Sequence, residues 1–123
     1  MTNEQLIEKA KSVATRRQVS DQTVVGEVGC ALITDKENVY TGASIHAPSG
    51  LGFCAESSAI ASMVTAGENR IKTIVATDEK GNIYSPCGRC REMTRQINKE
   101  NMDTDIILSN KVMKLKVLLP EPY

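Results

Sequence analysis

Apolar residues recur along the chain with two distinct periods. In residues 2–17, Leu6, Ile7, Ala10, Val13 and Ala14 fall on one face at the helical spacing of about 3.6 residues. Thr2 and Gln5 can form a capping box at the start of that helix. Val28–Thr34 is a continuous apolar run, the pattern of a strand buried on both faces. Asp35–Asn38 reads as a turn and Val39–Ile45 as the returning strand of a hairpin. Ala47–Gly52 has loop composition, and the Ala-rich stretch 54–66, stopped by Gly67, reads as a second helix. Ile71–Thr77 predicts another buried strand and Asp78–Asn82 a turn. A short helix over 87–99 follows Ser85-Pro86. Thr104–Ser109 and Val112–Leu118 read as two final strands around Asn110-Lys111. The order α-β-β-α-β-α-β-β implies α/β architecture with a mixed sheet of five strands flanked by helices.

Composition narrows the function. The chain has 123 residues, so a single domain spanning 1–123 is expected. Fifteen Lys and Arg balance fifteen Asp and Glu, which argues against a nucleic-acid partner or a membrane surface. Hydrophobic residues make up 41% and aromatics only 3%, so aliphatic side chains must build the core, and oligomerisation is a common way to stabilise such a domain. Neither an apolar run of membrane-spanning length nor a charged-then-apolar leader is visible, giving a cytoplasmic expectation.

In a reducing compartment the four cysteines favour metal or thiol chemistry over disulfides. Cys30 lies within an apolar run and reads as a small core residue. The other three are more informative. Cys87 and Cys90 are about 300° apart around a helix, on one face within one turn. A helix N-terminus favours the thiolate that a metal requires. Cys54 and Glu56 can address one metal only from a helix end, where the sequence puts them. Three thiolates leave one tetrahedral zinc position open, as in a catalytic site, with Glu56 as the adjacent proton carrier. A redox pair or a structural zinc clip would account for Cys87 and Cys90 alone, while a closed four-ligand site would have to recruit Cys30 or His46.

Cys54-Ala55-Glu56 followed by Pro86-Cys87-Gly88-Arg89-Cys90 resembles the zinc-dependent cytidine deaminase superfamily in its three-cysteine form. Val28–Leu32, Tyr40-Thr41-Gly42 and Leu118-Leu119-Pro120 extend the similarity over most of the chain. The resemblance implies a three-layer cytidine-deaminase-like fold, a Zn2+ cofactor held by Cys54, Cys87 and Cys90, and catalysis by Glu56. It further implies hydrolysis of cytidine or deoxycytidine to the uracil nucleoside and ammonia, in pyrimidine salvage. Short members of this type are homotetramers whose sites are completed by a neighbouring subunit, which makes Tyr123 the candidate aromatic. Ala55 and Ser85 are further expected substrate contacts, Ser85 with Pro86 offering a backbone carbonyl to the exocyclic amine.

The chain departs from the family in two places. Zinc with three thiolates carries a net charge of −1, which cytidine-specific members relieve with an Arg after the glutamate; here that position is Ser57. Arg91, with Arg89 as a second candidate, is expected to supply the missing positive charge. The Asn-x-Glu pair that holds the ribose hydroxyls is replaced by Ser44-Ile45-His46, and Gly26 stands where a pocket Phe is usual. Ser44 and His46 are therefore the expected sugar-side contacts. Blasticidin S deaminases share both departures, so an antibiotic or modified cytosine nucleoside is the alternative substrate.

Overall fold

The computed structural model describes residues 1–123. Helix α1 (Asn3–Val13) begins at Thr2, and the expected capping box with Gln5 is present. It is shorter than its apolar periodicity predicts. Arg17–Gln18 instead form a two-residue strand, β1, antiparallel to the start of β2 (Val24–Thr34). The turn between them is closed by the Ser20 hydroxyl, which accepts from the Gln22 and Thr23 amides. The remaining elements in chain order are β3 (Val39–His46), α2 (Ala55–Thr65), β4 (Ile71–Thr77), β5 (Ile83–Tyr84), α3 (Gly88–Ile97), β6 (Asp105–Ile107), β7 (Val112–Lys114) and α4 (Leu115–Leu118).

The sheet is mixed and carries seven strands, against the five read from the apolar runs. The two extra strands, β1 and β5, are two residues each and extend the edges of β2 and β4. The other difference lies at the end. Val112–Leu118 does not continue as one strand, because the chain turns at Leu115, which buries its side chain while Val117 stays exposed.

Alternation along β2 and β4 sorts their side chains onto two faces. Cys30, Leu32, Ile74 and Ala76 pack with Ala59, Ile60 and Met63 of α2 and with Leu115. Ala31, Ile33 and Val75 pack with Leu6 and Ala10 of α1 on the opposite face. The three-layer arrangement follows from these two cores. Contact between α2 and β3 is so close that a Cβ on Gly42 would lie 2.3 Å from the Ala59 amide nitrogen. Buried Asn101 secures the far side: its Oδ1 accepts from the Ile71 amide at 2.9 Å, and its Nδ2 donates to the carbonyls of Asn69 and Thr94.

Strand polarity decides where a site can form. β3 and β4 both run antiparallel to β2 and flank it. Their C-terminal ends therefore lie on the same rim, with the start of β2 between them. α2 follows β3, and α3 follows β4 through β5, so both helices begin at that rim.

Two outcomes follow from this packing. Gly42→Ala is expected to push α2 off β3 and lower stability by about 1–3 kcal/mol, read as a reduced urea midpoint. The Glu68 carboxylate accepts from Tyr40 Oη at 2.6 Å and Asn38 Nδ2 at 2.9 Å. These bonds, the Tyr40 hydroxyl first, hold its pKa below the ordinary carboxylate value. Its stabilisation is thus present above the unfolded pKa and lost as pH falls through the lower folded one. Denaturation at stepped pH should show Glu68→Gln less stable than the parent at pH 7, with the difference shrinking on acidification.

Candidate metal and active site

Cys54 and Cys87 occupy equivalent places, each the N-cap of its helix in extended backbone conformation. Neither thiol caps its own helix, so both are free to point past the terminus. Cys54 reaches its place because Ile45 and Phe53 exchange backbone hydrogen bonds at 2.9 and 3.0 Å, pinching off the intervening loop. Pro86 is buried one residue before the second cap, rather than opening the helix as its fixed φ would allow. Cys90 is buried in the first turn of α3.

The three sulfurs lie within 4.8 Å of one another, and Cys54 Sγ is 3.4 Å from Cys87 Sγ. All are free thiols. Burial pushes the Cys54 and Cys90 thiols above their ordinary pKa. At Cys87 burial acts in the same direction, but the backbone N–H of Cys90 and the Cys54 thiol outweigh it and bring the pKa below the ordinary value. Glu56, in the first turn of α2, is 6% exposed, and burial raises its pKa. Three soft donors converging from two helix ends, with a protonatable carboxyl nearby, fit Zn2+.

The expected charge-tuning residues make no hydrogen bond to a sulfur. Arg91 donates from Nε to Pro86 O at 2.8 Å, from Nη1 to Leu118 O at 2.9 Å and from Nη2 to Ser85 Oγ at 2.9 Å. Its guanidinium is committed to two carbonyls and a hydroxyl, and its hydrogen bonds go to no sulfur. Arg89 is exposed on the outer face of α3, lining a surface depression with Glu92, Met93 and Gln96. The side chain that does reach a thiol is Ser57, whose Oγ lies 3.5 Å from Cys90 Sγ. Its place directly after Glu56 is the sequence signal for this contact.

The expected substrate contacts divide. The Ala55 side chain is wholly buried in the α2 core, leaving only its backbone for a contact. The Ser85 hydroxyl is held by Arg91. Ser44 Oγ accepts from the Val28 amide at 3.0 Å, and the exposed His46 ring sits with Nδ1 3.3 Å from Glu27 Oε1. Glu27, which no motif in the sequence singles out, lies beside His46. Tyr123 is 98% exposed, and its amide donates to Glu92 Oε1 at 2.8 Å.

A zinc-fitting tri-thiol cluster at paired helix ends, on a three-layer α/β fold, defines a metal-dependent hydrolase class. Residues 1–103 match the family described as the cytidine and deoxycytidylate deaminase zinc-binding region. Cytidine deaminase from Mycobacterium tuberculosis is 30% identical over 99 residues, covering 78% of this chain and 71% of that protein. The crystal structure of cytidine deaminase from Burkholderia pseudomallei superposes with a TM-score of 0.80 at 29% identity, with 100% of each chain covered. That of the Mycobacterium tuberculosis enzyme gives 0.83 at 25%, covering 100% and 98%. The chain belongs to the cytidine and deoxycytidylate deaminase family.

Arg91→Gln separates the two roles considered for this side chain. Release of the 118–123 segment, seen as faster amide hydrogen exchange there with zinc content maintained, is the expected result. Loss of zinc with unchanged exchange would return Arg91 to the thiolates.

Proposed function

We propose that this chain, as one deaminase domain over residues 1–123, hydrolyses the C4 amino group of a cytosine nucleoside to give the uracil nucleoside and ammonia. The observation that carries the reading is Glu56, buried within the first turn of the helix capped by Cys54. Cys54, Cys87 and Cys90 would hold the zinc. When bound, that ion supplies Lewis acidity that makes water nucleophilic near neutral pH.

The chemistry asked of the protein follows from the leaving group. An amino group on an aromatic pyrimidine leaves poorly, so ring N3 must gain a proton as C4 is attacked. Glu56 is suited to hold that proton, because burial lifts its pKa and favours the neutral carboxyl. It delivers a proton to N3, takes up the proton of the oxygen added at C4 and passes it to the departing nitrogen, and the next water to enter the site reprotonates it. The carbonyl of Ser85 is the acceptor offered to the exocyclic amine. Pro86 O is already taken by Arg91, which fixes the loop on which Ser85 sits.

The active form is a cytoplasmic homotetramer in pyrimidine salvage. Scarce aromatic area in the core, the outward-facing Tyr123 and the lack of any helix long and apolar enough to cross a membrane support this reading. Light scattering of the purified protein checks the assembly.

Glu56→Gln is expected to lower turnover of cytidine by at least ~10²-fold while metal analysis still finds one zinc per chain. Full activity would remove Glu56 from the mechanism. Turnover of cytidine, deoxycytidine, cytosine and blasticidin S by the parent protein, followed by loss of the cytosine chromophore, identifies the substrate.

A further inference from the structure

β2 and β3 are out of step at one place. Val25 stands opposite Ile45 and Gly29 opposite Ala43, so Gly26, Glu27 and Val28 face Ser44 alone. The bulge is built in. Gly26 adopts φ +80°, and a Cβ there would lie 2.0 Å from the Thr15 carbonyl oxygen. The Ser44 hydroxyl accepts the Val28 amide that the ladder leaves without a strand partner. Bulges of this kind re-aim a side chain, and here the side chain is Glu27. It lands with Oε1 3.3 Å from His46 Nδ1 and Oε2 3.8 Å from Arg16 Nε.

The surroundings are those of a binding wall. Glu27, Ser44 and His46 line an open cleft of about 370 Å³ that also touches Ile45 and Gly52. Ile45 is bonded to Phe53, and the next residue is Cys54, so this cleft adjoins the start of α2. The bulge occupies the rim where α2 and α3 begin.

Hydrogen-bond inventory selects the ligand chemistry. An ionised carboxylate has about four acceptor positions; His46 uses one, and Arg16, at 3.8 Å, contributes charge rather than a hydrogen bond. With its proton on Nδ1, His46 donates to Glu27 and leaves Nε2 as a further acceptor. The Ser44 hydroxyl, already accepting from Val28, can still donate. Acceptors therefore predominate, and Arg16 balances the charge of Glu27. Such a wall suits neutral hydroxyl donors better than a cation or an anion.

The geometry points to Glu27, held by His46 and Arg16 on the β2 bulge, as the specificity-determining carboxylate that binds the vicinal hydroxyls of the substituent on the pyrimidine. This rests on the nucleoside-deaminase reading above. Glu27 brings a carboxylate from β2 to the cleft that Ser44 and His46 of β3 line. His46 and Arg16 act as positioning residues.

The test compares substrates with and without those hydroxyls. The zinc-loaded parent is expected to prefer cytidine to 2′,3′-dideoxycytidine in kcat/KM, and Glu27→Gln to reduce that ratio at least tenfold. His46→Ala should move it in the same direction by less. Calorimetry with uridine and 2′,3′-dideoxyuridine reads the same selectivity without turnover, and Glu27→Gln should weaken uridine binding selectively. Equal proportional losses on both members of each pair, or no preference in the parent, would overturn the assignment to Glu27 and leave the deaminase reading standing. A parent that converts no cytosine nucleoside would overturn both.

Discussion

Three thiols and a carboxyl group share one small region, and they repel one another as they ionise. Two helix N-termini aimed at the same point are the fold's response. Each presents unpaired backbone N–H groups and a partial positive charge of roughly half a unit. Cys54 and Cys87 sit at those ends as caps, which is why their sulfurs can approach to 3.4 Å. The hydrogen bonds of Arg91 go to two carbonyls and a hydroxyl, and the hydroxyl of Ser57 lies beside Cys90.

Convergence of the helix ends depends on the sheet. Because β3 and β4 run the same way on either side of β2, the two strand-to-helix connections emerge on one rim. Gly42 lets α2 press against β3, and the Ile45–Phe53 bridge sets the position from which α2 starts. The same rim receives the first residues of β2. A fold that brings two helix ends together thus also brings the β2 bulge beside them, so metal ligands and the wall that faces substrate are set by one topological fact.

Much of this was legible in the sequence. The apolar run 28–34, the strand at 71–77 and the capping box at Thr2 carry local signals strong enough to survive in the structure. The pairing of Cys54 and Glu56 with Cys87 and Cys90 was visible because each lies at a helix start. What escaped depends on contacts between distant segments. β1 and β5 are two residues long and exist only through their partners. Leu115–Leu118 has the composition of a strand but follows the demand to bury Leu115. Glu27 sits in no recognisable motif, since a bulge is a mismatch between two strands and neither strand alone records it. Arg91 adjoins Cys90 in sequence, whereas its hydrogen bonds go to Ser85, Pro86 and, far along the chain, Leu118.

Arg91 and Glu92 are consecutive on α3, yet one grips Leu118 and the other the amide of Tyr123. The segment 118–123 is in effect lashed to the helix that Cys87 caps and that carries Cys90. Tension on residues 118–123 would pull directly on that helix, whereas tension on α1 would act on the opposite face of the sheet from α2.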